Sequence, residues 1–484
     1  MPSHDTTNST LSLARAAAQL GVELTGEDVN FSRISINTRT LQPGDLFVAI
    51  RGENFDAHQF IEQAVEKGAC GLVVESDIRS TLPMIRVEDT RLALGRIAAF
   101  WRSRFSMPVI AVTGSCGKTT VKEMISAIFR QHFGENVLST RGNLNNEIGV
   151  PLTLMRLNNE HRAAVIEMGA NHQGEIAYLV NLVKPDVAVI TNAAHAHIEG
   201  FGSIQGVAKA KGEIYSGLVD GGTAIINADD DFAEYWMKSC QSISQQSERQ
   251  LEIKSFGLNH AADVRAAYHQ TKVGLEITMS TEQGNTSLTL KQLGQHNVYN
   301  ALAAAAVTLA AGCELHEVKN GLQSFNNVSG RLEQKQGLNH SILFDDTYNA
   351  NPGSVIAGIQ AIQQLPGEKM VILGDMGELG ENSETLHYQL GLDIAELDIL
   401  YLYTVGPLSQ AICKGFIRAC EEKHQAAQAL FFTSKDDLIS ALREKKHSSS
   451  VVLVKGSRIM GMESVLAALE LAYDEQLQGT HTCC

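Results

Sequence analysis

Residues Val109–Phe129 read VIAVTGSCGKTTVKEMISAIF. Four apolar residues, Val109 to Val112, make a short buried-strand run. The chain then turns through Gly114, Ser115, Cys116, Gly117, Lys118, Thr119 and Thr120. Beyond the turn, Val121, Met124, Ile125 and Ile128 recur at helical spacing. Strand, glycine-rich turn and helix in that order make a phosphate-binding loop. Backbone N–H groups at a helix N-terminus point at an anion, and the helix dipole favours its charge. Lys118 is placed to reach terminal phosphates, and the Thr119 hydroxyl to hold Mg²⁺. The loop is a short form, G-x-x-G-K-T. The longer pattern needs a glycine five residues before Gly117, where Val112 stands.

Working outward, 484 residues at ~150 per domain suggest about three domains. The chain is 44% hydrophobic and 19% charged, enough to bury large cores. No apolar run approaches the ~18 residues of a membrane span. The start, MPSHDTTNSTLSLARAAAQL, lacks the basic and apolar segments of a signal peptide, so a cytoplasmic location is expected. A net charge of −15 argues against a nucleic-acid partner, which calls for a basic face, but allows small anions. The eight cysteines show no C-x-x-C spacing and read as reduced thiols, neither a disulfide frame nor a zinc site. Cys116 lies in the phosphate loop, which works through its backbone, so its thiol is given no role.

Residues 1–84 form a first unit, with strands near Leu46–Ile50 and Gly71–Glu75 around a helix from Asp56 to Gly68. Ligand recognition is the natural role there. Thr38 and Arg39 lie in a turn that is equally readable as plain surface. From 85 to 328, strands at Val109–Val112, Ala164–Met168, Val187–Asn192 and Thr223–Asn227 alternate with helices. Asp89 reads as the N-cap of the entering helix. Such alternation implies a mostly parallel, doubly wound sheet with ligands at the strands' carboxyl ends. Glu167 ends one strand and needs a partner there, either a Mg²⁺ ion or a local ion pair. Asn192, His195 and His197 follow another. Residues 240–293 alternate as antiparallel strands, a small appended sheet. Asn297 and Asn300 open an Ala-rich helix, where Asn297 could serve simply as N-cap. From 329 to 484 a second doubly wound, Rossmann-like unit is expected, with strands including Ile342–Asp346, Met370–Gly374 and Val451–Val454. Its strand ends carry DDTYNANPGS, GDMGELG and VKGSR. Asn349 and Asn351 are either site residues or turn formers before Pro352.

TGSCGKTT, VIEMGANHQGEI, TNAAHAHIEGFGS, AKAKGEIY, GQHNVYNALAAA, GRLE and DDTYNANP together, in this order, resemble the Mur ligases of bacterial cell-wall synthesis. Within that family, TRGNLNNEIGVPLTL, EMGANHQGEI, DDTYNANPGS and GDMGELG look like the branch that adds D-alanyl-D-alanine. The resemblance runs from about Ile36 to Glu463. It implies an ATP-dependent amide ligase acting on UDP-N-acetylmuramoyl-tripeptide (UDP-MurNAc-tripeptide) and D-Ala-D-Ala through an acyl phosphate. The first unit would bind the UDP-sugar, the second ATP, and the third would close over the nucleotide from an open arrangement.

The resemblance also assigns residues. Lys118 and Mg²⁺ on Thr119 and Glu167 would neutralise phosphates. A second Mg²⁺ would take His197, preferred over His195, and Lys211 as a carbamate. Asn297, Asn300, Arg331 and Asp346 would contact the nucleotide. Thr38, Arg39, Asn143, Asn145, Asn146, Asn349, Asn351 and Arg458 would contact substrates. No nucleic acid and no membrane span are expected, and the chain is expected to be a monomer. The rivals are a diamino-acid-adding or folylpolyglutamate-type ligase and, in a different class, a phosphate-loop ATPase switch. DDTYNANPGS and the second doubly wound unit count against them.

Overall fold

The computed structural model describes residues 10–52, 55–194, 198–337, 341–444 and 450–470. His195 and His197 therefore lie outside the described residues.

Apolar runs such as Val109–Thr113 become strands of three larger sheets, and Leu11–Ser12 pairs with Asn30–Phe31 in a small fourth one. The central sheet has nine strands. Val109–Thr113 lies between Ala163–Glu167 on one side and Val187–Ile190 on the other, all parallel. After Val109–Thr113 the chain goes out to the edge strand Val137–Ser139, returns to Ala163–Glu167, and then crosses to Val187–Ile190. The reversal places a crevice at the carboxyl end of Val109–Thr113, where such folds take ligands.

The expected antiparallel addition is there, but it is not a separate sheet. Val264–Gln270, Leu275–Thr281 and Gly284–Leu290 pair antiparallel and continue the central sheet through Glu252–Gly257. Helices cover both faces. Lys118–Phe133, Gln295–Ala310 and Leu315–Ser324 bury Val121, Met124, Ile128, Val298, Leu302 and Leu322 against one face. On the other face, Thr90–Arg102 starts at Asp89, whose carboxylate accepts from the N–H groups of Arg91 and Leu92. This helix packs Leu94, Ile97 and Trp101 into a core shared by the N-terminal residues Leu11, Leu13, Phe31 and Val48.

The N-terminal sheet runs Leu24–Thr25, Met84–Arg86, Gly71–Val74, Leu46–Val48 and Ile34–Ser35. The C-terminal sheet has six strands, ordered Glu333–Gln336, Ile342–Asp346, Val451–Lys455, Lys369–Gly374, Tyr401–Val405 and Gln428–Phe432. All of its pairings are parallel except that of Glu333–Gln336. No helix among the described residues is long and apolar enough to cross a membrane.

Candidate active site

The phosphate loop is built by its neighbour strand. Ser115 N–H donates to Asn192 O, Cys116 N–H donates to the Asn192 side chain at 3.0 Å, and Thr191 Oγ1 donates to Cys116 O. Ser115 Oγ and the Ala194 backbone are also bonded. Gly114, at φ +147, leaves no room for a Cβ, which would fall 1.9 Å from Thr191 Oγ1. At Gly117, φ +82, a Cβ would fall 2.5 Å from Asn300 Oδ1. Both glycines are therefore demanded by packing as well as by conformation. Lys118 opens the helix and folds its Nζ back onto Gly114 O at 2.6 Å. Its surface is only half-buried, yet its depth in the protein lowers its pKa, and Glu167 partly opposes that shift.

Glu167 is 2% exposed at the end of the adjacent strand. Its two oxygens accept from Thr119 Oγ1 and Asn145 Nδ2, each at 2.9 Å. Arg331 Nη2 donates to the same Thr119 Oγ1 at 2.9 Å, and its guanidinium stacks 4.2 Å from the Tyr348 ring centre. A buried carboxylate beside a hydroxyl is a hard-oxygen donor set, the kind Mg²⁺ takes. Lys211 lies on the helix Ile204–Gly212 at 1% exposure. Burial, reinforced by the charge of Lys118, pushes its amine down to about 7.

A cleft of about 1430 Å³ joins the central and C-terminal units. Gly117, Lys118, Asn143, Asn145, Asn146 and Glu167 line it, as do Asn297, Asn300, Arg331, Asp346, Asn349, Asn351 and Arg458. Thr38 and Arg39 lie in the turn after Ile34–Ser35 and are not among its lining residues. Thr38 bonds Gln63 instead, at 3.2 Å. Asn146 Oδ1 accepts from Gly149 N–H at the helix start Gly149–Leu154.

Asn297 is not an N-cap. Gly294 holds that position, and Asn297 Nδ2 reaches back to Leu293 O at 2.8 Å while its oxygen accepts from Asn300. Asn351 is both a turn former and a site residue. It caps Pro352–Gln363 reciprocally with Ser354, and its Nδ2 lies 3.2 Å from Cys116 Sγ. That contact, with Arg331 on Thr119 and Gln270 Nε2 on Ala361 O at 2.9 Å, seats the C-terminal unit on the loop. Arg458 is taken up by Glu463 in an ion pair.

Residues not singled out from sequence also enter the site. Lys455 pairs with Asp346 at 2.6 Å and donates to Asn349 O at 2.8 Å. Burial raises the Asp346 pKa, and Lys455 opposes that. Asp229 lines the cleft and accepts from the N–H groups of Leu258, Asn259 and His260 and from Tyr299 Oη. Burial would raise its pKa, but those donors hold it well below the usual carboxylate range. His387, fully buried, accepts from Met376 N–H and so orders GDMGELG, where Glu378 takes a left-handed φ of +61.

A nucleotide-type loop, a buried acid beside it and a second doubly wound unit closing the cleft define a phosphate-loop enzyme that works on two units at once. The chain belongs to the Mur ligase family. The Mur ligase middle domain matches residues 112–308, the glutamate ligase domain 330–458, and the catalytic domain of the Mur ligase family 30–102. The chain is 43% identical over 464 residues to UDP-N-acetylmuramoyl-tripeptide--D-alanyl-D-alanine ligase of Escherichia coli, covering 95% of this chain and 98% of that one. Among solved structures it resembles MurF from Acinetobacter baumannii, with TM-score 0.86, 37% identity, and coverage of 93% and 97%. It also resembles the MurF ligase of Thermotoga maritima in complex with ADP, with TM-score 0.76, 26% identity, and coverage of 92% and 98%.

Proposed function

We propose that this chain joins D-Ala-D-Ala to UDP-MurNAc-tripeptide at the expense of ATP, in the cytoplasm, for peptidoglycan synthesis. The observation that carries the reading is Thr119 Oγ1, shared by Glu167 and Arg331 across the two units at the foot of the phosphate loop. The reaction drives two anions together, so catalysis is mostly positioning and charge neutralisation.

Loop N–H groups and Lys118 hold the γ-phosphate against the substrate carboxylate. A carboxylate oxygen takes the phosphoryl group and ADP leaves. The D-Ala-D-Ala amine attacks the acyl carbon and loses a proton, the C–O bond to phosphate breaks, and an amide forms. Thr119 and Glu167 would hold one Mg²⁺, and His197 with a carbamylated Lys211 a second. Bound Mg²⁺ would supply charge neutralisation between phosphate and carboxylate. A Lys211 amine near neutrality has a lone pair for CO₂, and the resulting carbamate is an oxygen anion suited to a hard cation.

Asn297, Asn300 and Asp346 take the nucleotide in this reading, with Arg331 at its phosphates. Thr38 and Arg39 take the UDP-sugar. Asn143, Asn145, Asn146, Asn349, Asn351 and Arg458 face the peptide substrates.

The test is phosphate release from ATP with UDP-MurNAc-tripeptide present, adding D-Ala-D-Ala, D-Ala, L-Lys or glutamate in turn. Release that requires both the tripeptide and D-Ala-D-Ala is expected. Release indifferent to the amine would leave an ATPase and remove the substrate assignment.

A further inference from the structure

The far end of the phosphate-loop helix carries a second constellation that the ligase reaction does not use. His132 lies in the last turn of Lys118–Phe133, and Glu317 in the first turn of Leu315–Ser324. Cys313 lies just before Leu315–Ser324 and is buried. One nitrogen, one sulfur and one carboxylate oxygen from these residues lie within 4.8 Å of one another. At 1.5 Å per residue, fourteen residues put this cluster roughly 20 Å from Lys118, well outside the cleft.

Local contacts hold the donors in place. Glu317 Oε2 accepts from the Glu314 N–H at 2.7 Å as half of a capping box. His132 Nδ1 meets both Glu317 oxygens, at 2.8 and 2.9 Å, a pairing that an incoming cation would replace. Cys313 is fixed by its backbone, with its N–H on Thr308 O and its carbonyl taking Gln283 Nε2. The His132 ring stands edge-on to Phe133. Two neighbouring segments thus bring an imidazole nitrogen, a carboxylate oxygen and a buried sulfur to one point, where a single cation would meet all three.

We propose that His132, Cys313 and Glu317 bind a borderline-soft divalent transition metal of the Zn²⁺ class. Imidazole, thiolate and carboxylate are the ligands Zn²⁺ takes, and three protein ligands leave a fourth position for water. Mg²⁺, which needs oxygen ligands, is excluded by the same donor set. His132 and Glu317 reach the surface and give the ion its way in. Bound there, the ion ties the phosphate-loop helix to its neighbour Leu315–Ser324.

Untagged, chelator-stripped full-length protein should take up one Zn²⁺ with Mg²⁺ in large excess. Co²⁺ in its place should give thiolate-to-metal charge-transfer absorption. Loss of even an outer-shell partner costs about 10–100-fold in metal affinity, so Cys313→Ser and His132→Gln should each weaken uptake by at least about 100-fold and abolish the absorption. Glu167→Gln should leave both intact. His132 is at the surface, so His132→Gln folds even if Cys313→Ser does not, and Zn²⁺ should raise the unfolding midpoint of wild type but not of His132→Gln. Absence of uptake in wild type, or uptake indifferent to His132→Gln, would overturn the site.

Discussion

At the end of Val109–Thr113 the cleft meets a glycine turn at a helix N-terminus, its backbone fixed from outside by Thr191 and Asn192. At the end of Ile342–Asp346 it meets side chains: Asp346 buried against Lys455, Asn351 on a helix cap, and Arg331 reaching across to Thr119. Both ends belong to parallel strands flanked by helices. The difference is in what each must recognise. A phosphate group is met by any ring of N–H donors, so a glycine turn suffices. Closing one unit over another requires long side chains whose positions depend on the whole unit. The first arrangement is one continuous turn of the chain; the second joins residues 109 positions apart in Lys455 and Asp346 and 212 apart in Arg331 and Thr119.

The largest expected effect falls on the loop side. Lys118→Ala should lower phosphate release by about 10³-fold or more, the scale of removing a cation from a phosphoryl transfer. UDP-tripeptide binding should persist. Lys211→Ala should be equally silent in the same assay, but a short carboxylate such as formate should restore part of its activity. Lys118→Ala, which lacks a cation, should gain nothing from the additive. Rescue of neither variant would remove the carbamate from the site, and wild-type-like activity in Lys211→Ala would do so more directly.

On the C-terminal side the next effect is on stability. Lys455→Met leaves the Asp346 carboxylate, whose side chain is only 14% exposed, without its partner, which costs up to about 3–5 kcal/mol in such pairs. Urea unfolding of the C-terminal transition reads this directly. Adding Asp346→Asn should recover part of the loss, because the uncompensated charge is then gone. A loss under about 1 kcal/mol for Lys455→Met would mean that water reaches the pair, and that the two strand ends are less different than their contacts imply.

That asymmetry also decides what could be read in the sequence. Val109–Phe129 declares strand, turn and helix in 21 consecutive residues, and the structure keeps all three. The strand Ile342–Asp346 was legible to the residue, since its apolar run ends on two aspartates. Glu167 beside the loop was legible because a carboxylate closing an apolar strand needs a partner. Lys455 was not. It lies one residue beyond the expected strand end at Val454, and nothing local distinguishes a lysine that turns inward toward Asp346 from one that reaches water. The thiol of Cys116 was given no role because the loop works through its backbone, and its partner Asn351, 235 residues away, could not be seen from the loop's sequence. The alternative reading of Asn297 as a cap falls away because Gly294 at φ +87 already fills that place. The trio His132, Cys313 and Glu317 escaped for the same reason as Cys116: ligand spacing along the chain cannot reveal a site shared between two helices.

The smallest expected effect tests the contact that joins the two regions. Asn351 has two tasks, capping Pro352–Gln363 through its oxygen and meeting Cys116 Sγ through its nitrogen. Asn351→Asp keeps a good cap and loses the donor, whereas Asn351→Ala loses both and should cost a further ~1 kcal/mol of stability. Cys116→Ala removes the acceptor and leaves the cap alone. Sulfur is a weak acceptor, so the coupling between Asn351 and Cys116 should be at most about 1 kcal/mol, under about tenfold in kcat/KM for ATP. The double-mutant cycle built from Asn351→Ala and Cys116→Ala isolates that term from the cap, because the cap is present or absent equally along both edges. A coupling of zero would mean that the C-terminal unit is seated by Arg331 on Thr119 without help from the thiol. A clear coupling in activity with none in stability would mean that the contact acts when the units close for reaction, as a latch on the loop rather than as part of the fold.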